Sequence, residues 1–444
     1  MTNQVVRLSS ELSKMGVVLA ENLALAPACN RFVSGFGDSR IHLSWSGSNG
    51  NDFQKGYGIM HWLGAYSLGI AMAPVGLNGG VAGDTTVQML ARIKAHIAAM
   101  KAAGSNLVVL FGSTNDRTGG RIDLGTSKRN IREMVRLFQL AGITVILISE
   151  TPRGNGSSDF ELTTQALKND HYAMHVWMQE EMSKMCEVVN VWDDLVDPSS
   201  GTNYYPYPQM LRDGIHPSKV GAQVIGKRLA QVVAKYIRGL ADLLESNTLF
   251  DASTNPLGSL TANPLMTGAT GTVSANANAT SGSVMATGWT TSCNNMTGLQ
   301  TTWSKEVDGE GVEWQKVRIF GASGSTAPEI TCLSLVTLSS LSDQDKIKAT
   351  GLVKSKGVGL SAVGLALYME PSYTQKLDGE DSDSSLPWPS EEIGPLSRET
   401  PVLTYLTSAN HSKVAARLIV NIQPSKTVDC TVWFSRLGAV KVLY

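Results

Sequence analysis

The chain has 444 residues, 42% of them hydrophobic and 17% charged, which is enough apolar content to bury more than one core and too much for a disordered chain. With 37 Lys+Arg against 38 Asp+Glu, no overall field favours a polyanion, and nucleic acid is not an expected partner. A bilayer-spanning apolar run and a signal-peptide pattern are both absent and the five cysteines lack C-x-x-C spacing, so the chain reads as soluble, without membrane insertion, with free thiols and no zinc site.

Residues 1–30 carry Val5, Leu8, Leu12, Met15 and Leu19 at alternating spacings of three and four. This stripe is expected to be an amphipathic helix docked on its own domain; the alternative is a self-association seam, as in a homotrimer. From 31 to 240 apolar runs alternate with helical patterns. Phe32 to Phe36 is a predicted strand, Thr85 to Ala103 a helix stopped at Gly104, and Leu107 to Phe111 a buried strand. Ser127 to Ala141 and Thr144 to Ser149 repeat the pair, followed by a helix over Phe160 to Met185 and a strand over Glu187 to Trp192. The final helix starts after Pro217 with Ser218 as its N-cap and runs to Ile237. Such alternation predicts an α/β fold, a parallel sheet covered on both faces.

The composition then shifts. Residues 241–256 read as a linker, and 257–444 as an all-β, jelly-roll-like sandwich that binds carbohydrate or holds a trimer together, with short alternating runs such as Val312 to Phe320, Ala415 to Ile422 and Thr427 to Ser435. Asp308-Gly309-Glu310 reads as a hairpin turn, and Asp378, Glu380, Asp381 and Asp383 as a solvated acidic loop.

Acyl transfer needs a nucleophile, a base, a group that orients the base, and donors for the oxyanion. The G-x-S-x-G elbow of α/β-hydrolases does not occur, but the first strand runs into Gly37-Asp38-Ser39, which puts Ser39 at a carboxyl end, where open α/β sheets bind ligands. Three further blocks follow: Asn78-Gly79-Gly80-Val81-Ala82-Gly83-Asp84-Thr85-Thr86, Asn115-Asp116, and Asp213-Gly214-Ile215-His216-Pro217. In this order they resemble the four blocks of the SGNH (GDSL-like) hydrolases, over residues 31 to 238.

The resemblance implies a three-layer α/β/α, flavodoxin-like domain and a serine esterase without metal or cofactor. It implies Ser39, Asp213 and His216 as catalytic residues, and the oxyanion donors Ser39, Gly83 and Asn115. The third block departs from the usual G-x-N-D, because Ser113 occupies the glycine position and Gly112 precedes it; the difference bears on the local backbone rather than on Asn115. His42 lies outside any block and reads as an ordinary polar position. His61, His96, His171, His175 and His411 are expected to be structural or surface residues, although His171 and His175 have the i, i+4 spacing of a metal pair.

The family alone does not choose a substrate. Trp45, Ser46, Asn49, Asn51, Asp52, Tyr57 and Trp62 form a mixture of aromatic and amide groups that suits sugar rings. The stretch from Asn255 to Trp289 is similar in composition and short phrases to phage tail-fibre and tailspike proteins bearing SGNH domains. That resemblance implies an esterase in a virion tail that removes O-acetyl groups from a bacterial capsule or lipopolysaccharide. The alternatives are a bacterial acyl-esterase or thioesterase with an accessory β-domain, and a catalytically inactive glycan-binding adhesin.

Overall fold

The computed structural model describes residues 29–48, 51–156, 160–237, 243–381 and 383–442. The N-terminal stripe lies outside them. The chain divides into two units, residues 1–45 with 57–240, and residues 46–56 with 241–444.

The strands of the first half are β1 (Val33–Gly37), β2 (Trp45–Ser48), β3 (Asn51–Lys55), β4 (Asn78–Gly80), β5 (Leu107–Phe111), β6 (Thr144–Ile148) and β7 (Glu187–Val189). Five of them form a parallel sheet in the order β4-β1-β5-β6-β7. Counted within that sheet the order is 2-1-3-4-5, the flavodoxin-like arrangement, so the topological switch point falls between β1 and β5. Every residue of β1 and β5 is buried, as expected of strands covered on both faces.

The helices include α1 (Ser39–His42), α2 (Ile59–Tyr66), α3 (Thr86–Ala102), α4 (Leu124–Leu140), α5 (Gln165–Glu180) and α6 (Lys219–Val233), with a further short helix at Trp192–Leu195. Met89, Ile93, Met134, Phe138, Met174 and Met178 of α3, α4 and α5 share one core with Phe36, Val108 and Leu110 of the sheet. Helices α2 and α6 pack closely on each other, and a Cβ on Gly226 would lie 2.2 Å from Cβ of Trp62. Helix starts follow their caps. Asp123, whose carboxylate accepts from the Thr126 N–H at 2.8 Å, starts α4 before the expected Ser127. Thr164 delays α5 past Phe160, which leaves Phe160 in a loop.

In the second unit the strands form a six-stranded and a seven-stranded sheet among the described residues. The seven-stranded sheet takes β3 as a parallel neighbour of strand Thr374–Glu380, with Asp52 opposite Lys376 and Phe53 opposite Leu377. Residues 46–56 therefore leave the stretch that reads as one continuous hydrolase domain in the sequence. The expected linker is also part of this unit: Phe250 N–H donates to the Ser259 carbonyl at 2.8 Å.

The structure departs from two sequence expectations. Trp45, Tyr57 and Trp62 are buried core residues, and the Trp45 indole N–H donates to the Ala73 carbonyl, so these rings offer no sugar platform. The acidic stretch is not wholly a solvated loop. Asp378 and Glu380 belong to strand Thr374–Glu380, where buried Asp378 pairs with buried Arg398 at 2.5 Å, and Glu380 accepts from Ser46. The Asp308 turn matches its expectation, joining strands Leu299–Val307 and Glu313–Ala322 with the Asp308 carboxylate accepting from Glu310 N–H and Val312 N–H. All five cysteines are free thiols, and among the described residues no helix is long and apolar enough to cross a membrane.

Three histidines, His171 and His175 buried and His96 half-buried, make the first unit acid-sensitive. Burial holds His96, His171 and His175 down to about 4, against an ordinary 6.5. Each stays neutral in the folded chain but binds a proton once unfolded below 6.5. Stability is therefore intact above that value and falls as the pH drops towards 4, by up to about 1.4 kcal/mol per pH unit for each histidine. The thermal midpoint should decline steadily between pH 6.5 and 5. A midpoint that stays level across that interval would contradict the assignment.

Candidate active site

Strand β1 ends in the turn that starts α1, with Asp38 as N-cap and Ser39 as the first helical residue. The turn is tightly built, since a Cβ on Gly37 would lie 1.9 Å from the Phe111 carbonyl oxygen of β5. Ser39 thus stands at the switch point, with Asn115 just beyond the end of β5.

The loop from Leu211 to Pro217 closes on itself through a two-residue bridge, with the Arg212 N–H donating to the His216 carbonyl at 2.9 Å. Inside it the Asp213 Oδ1 accepts from the backbone N–H groups of Ile215 (3.2 Å) and His216 (2.9 Å), and Oδ2 lies 2.7 Å from His216 Nδ1. The other ring nitrogen, Nε2, lies 2.8 Å from Ser39 Oγ. Partial burial raises the Asp213 carboxyl, but the hydrogen bonds from His216 outweigh it and leave the group below the usual carboxylate range. An ionised Asp213 fixes the proton of His216 on Nδ1 and leaves Nε2 as an acceptor for the Ser39 hydroxyl.

The three residues named as oxyanion donors each have an open N–H. The backbone N–H groups of Ser39 and Gly83 donate to no acceptor among the described residues. Asn115 Nδ2 spends one hydrogen on the Asp84 carbonyl at 3.0 Å and keeps the second. That bond ties the Asn115 loop to the Gly83 loop, which is tied in turn to β1 by Val81 N–H on the Gly37 carbonyl. Gly83 has φ +80°, a left-handed conformation natural to glycine. Asp116 has a structural part: its carboxylate accepts from the N–H and hydroxyl of Thr86 and from the Ser127 hydroxyl.

Ser113 has φ 143°, a backbone region that favours glycine, at a cost of about 1–3 kcal/mol for another residue. Its hydroxyl donates to the buried Glu150 carboxylate, a charge-assisted bond worth about 1.5–3 kcal/mol, which offsets the strain.

Glu150 belongs to a network that sequence reading missed. The Arg40 guanidinium, fully buried, bonds Asp38 at 2.7 Å and Glu150 at 2.7 Å and lies 3.8 Å above the Phe111 ring. Burial would raise the Glu150 carboxyl, but the Arg40 charge brings it down to about 2. The network joins the ends of β1, β5 and β6 beneath Ser39. Its sequence signal was an acidic residue closing the apolar run of β6.

Phe160 and Arg212 are two further residues beside the dyad. The Phe160 ring, 38% exposed, meets the His216 ring edge-on at 5.6 Å. Arg212 precedes Asp213, and its guanidinium lies 4.2 Å from the centre of the Tyr57 ring. His42 donates from Nδ1 to the Gly80 carbonyl, away from Ser39 and His216, His171 bonds the Thr151 carbonyl, and His175 stacks on Trp192. Among the described residues no group of three His, Cys, Asp or Glu gathers to hold a metal.

Residues 32–224 match the GDSL-like Lipase/Acylhydrolase family. No curated protein matches the chain. Among solved structures, a putative lipolytic protein of the G-D-S-L family from Desulfitobacterium hafniense is similar at 20% identity, covering 46% of this chain and 99% of its own, with a TM-score of 0.36. A GDSL-like lipase from Bacteroides thetaiotaomicron is similar at 19% identity, covering 52% and 97%, with a TM-score of 0.35. Over residues 32–224, with their parallel sheet, the chain carries a GDSL-like (SGNH) hydrolase domain, the domain of an acylhydrolase or esterase.

Proposed function

We propose that the protein is a serine esterase that removes O-acetyl groups from a bacterial surface polysaccharide, as part of a phage tail. The observation that carries the hydrolytic part is the unbroken hydrogen-bond chain from Ser39 Oγ through His216 to Asp213. Ser39 Oγ attacks the acetyl carbonyl and passes its proton to His216 Nε2, while the open N–H groups of Ser39, Gly83 and Asn115 receive the oxyanion. His216 returns the proton to the departing sugar hydroxyl as the acyl C–O bond breaks. A water then repeats the sequence on the acetyl-serine and releases acetate.

The carbohydrate part is supported by the exposed Phe160 face beside His216, a flat apolar surface of the kind that pyranose rings stack on. The tail placement rests on the sequence phrases between Asn255 and Trp289. Acetate release from a panel of O-acetylated capsules and lipopolysaccharides tests the reading, alongside p-nitrophenyl esters of increasing chain length. Acetate from at least one polysaccharide, with acetyl esters preferred over long acyl esters, is the expected result. A preference for long acyl chains with no acetate from any polymer would replace this reading by an acyl-esterase.

A further inference from the structure

A guanidinium that loses most of its water normally recovers the loss through its five N–H donors. Arg212 does not. Its side chain is 18% exposed, and its Nε is buried without a hydrogen-bond partner among the described residues. The nearest carboxylate oxygen, Asp213 Oδ2, lies 3.7 Å from Nε, close enough for Coulomb attraction and too far for a hydrogen bond. That oxygen is already engaged at 2.7 Å by His216 Nδ1. Neither terminal nitrogen makes a hydrogen bond among the described residues, whereas nearby Arg153 spends its donors on Phe160, Thr114 and Thr118.

The group is nonetheless held in place. The Tyr57 ring lies against the guanidinium at 4.2 Å, and the Arg212 backbone N–H is fixed on the His216 carbonyl. A cation with open donors, clamped against a buried ring one carboxylate away from the imidazole, has the form of a receptor for an anion. Coulomb attraction to Asp213 alone would not require the fork to remain unbonded, and a buried donor left unsatisfied calls for a missing acceptor. The planar, two-pronged geometry matches a carboxylate.

We propose that Arg212 is a specificity-determining residue that binds a sugar carboxylate next to the ester, so that the preferred substrate is an acetylated acidic glycan containing uronic acid. The proposal rests on the polysaccharide reading and narrows its substrate class. A charge-assisted pair of this kind corresponds to a preference of about 10- to 100-fold.

Two measurements test it. The first compares kcat/KM for acetate release from O-acetylated polygalacturonate and from an O-acetylated neutral glucan, for the native protein and for Arg212→Gln and Arg212→Lys. The native protein should favour the acidic polymer at least about tenfold, Arg212→Gln should bring the ratio close to one, and Arg212→Lys should keep an intermediate preference. A native ratio near one, a ratio unchanged in Arg212→Gln, or an equal fall on both polymers would overturn the proposal; the last would make Arg212 a positioning residue for Asp213. The second follows competition by galacturonate and by galactose against p-nitrophenyl acetate hydrolysis. Stronger inhibition by galacturonate that disappears in Arg212→Gln supports the carboxylate site even if neither polymer yields acetate, an outcome that would remove the polysaccharide reading alone. Equal inhibition by the two sugars overturns the site itself.

Discussion

Replacing Ser39 by alanine should lower kcat for p-nitrophenyl acetate by at least about 10⁴-fold, while the thermal midpoint changes little. The serine hydroxyl is the atom that faces His216 Nε2 at 2.8 Å, and among the described residues no other hydroxyl or thiol bonds that nitrogen. What is lost in the fold is one partly buried hydrogen bond, worth about 1 kcal/mol, because the backbone turn is held by Asp38 and Gly37 rather than by the serine side chain. Turnover is followed by p-nitrophenol release and stability by thermal denaturation of the same sample. Residual activity above a few per cent in a folded variant would mean that another group attacks the ester.

Asp213→Asn should cost about 10⁴-fold in kcat through the wrong tautomer of His216. In the native loop the carboxylate offers acceptors on both sides: Oδ1 to the two backbone N–H groups, Oδ2 to Nδ1. Asparagine has one acceptor oxygen. The backbone N–H groups of Ile215 and His216 are fixed in the turn and claim it, so the amide NH₂ turns towards Nδ1. His216 must then accept at Nδ1 and carry its proton on Nε2, where it can no longer take one from Ser39. The loop geometry survives, so the variant should keep its fold and should still bind substrate with a nearly unchanged KM. A large rise in KM with kcat preserved would show that Asp213 acts in binding rather than in orienting the base. The Asp213 carboxyl lies below its usual range, so its stabilising contact is fully present above about 4 and is lost as the pH falls through its lowered value.

The sequence by itself marked four of the five strands of the parallel sheet and the Asp213–His216 pair, because these are written in local signals. Strands β5 and β6 are short apolar runs, and α3 and α6 start at caps close to their expected beginnings. Asp213 and His216 share one tight loop, so their spacing alone brings carboxylate and imidazole within bonding distance. What joins that loop to Ser39, 177 residues away, is the order of the strands, and there the four blocks supplied by family resemblance what periodicity could not.

Only the tertiary structure decided where 46–56 belongs. Residues 46–56 carry a single hydrophobic residue, Phe53, and no strand pattern of their own, and their partner, strand Thr374–Glu380, lies more than 300 residues further on and leaves no trace in the local pattern. The same blindness misread Trp45, Tyr57 and Trp62: aromatic content next to a catalytic block looks the same whether the rings line a site or fill a core, and burial is a property of neighbours brought together by folding. Ser113, Glu150 and Arg40 were opaque for a further reason. A serine in glycine's backbone region is tolerable only because a buried carboxylate from β6 receives its hydroxyl, and that carboxylate is tolerable only because Arg40 from the Ser39 turn neutralises it. Such mutual dependence among three strand ends exists in the folded chain and at no position of the sequence taken alone.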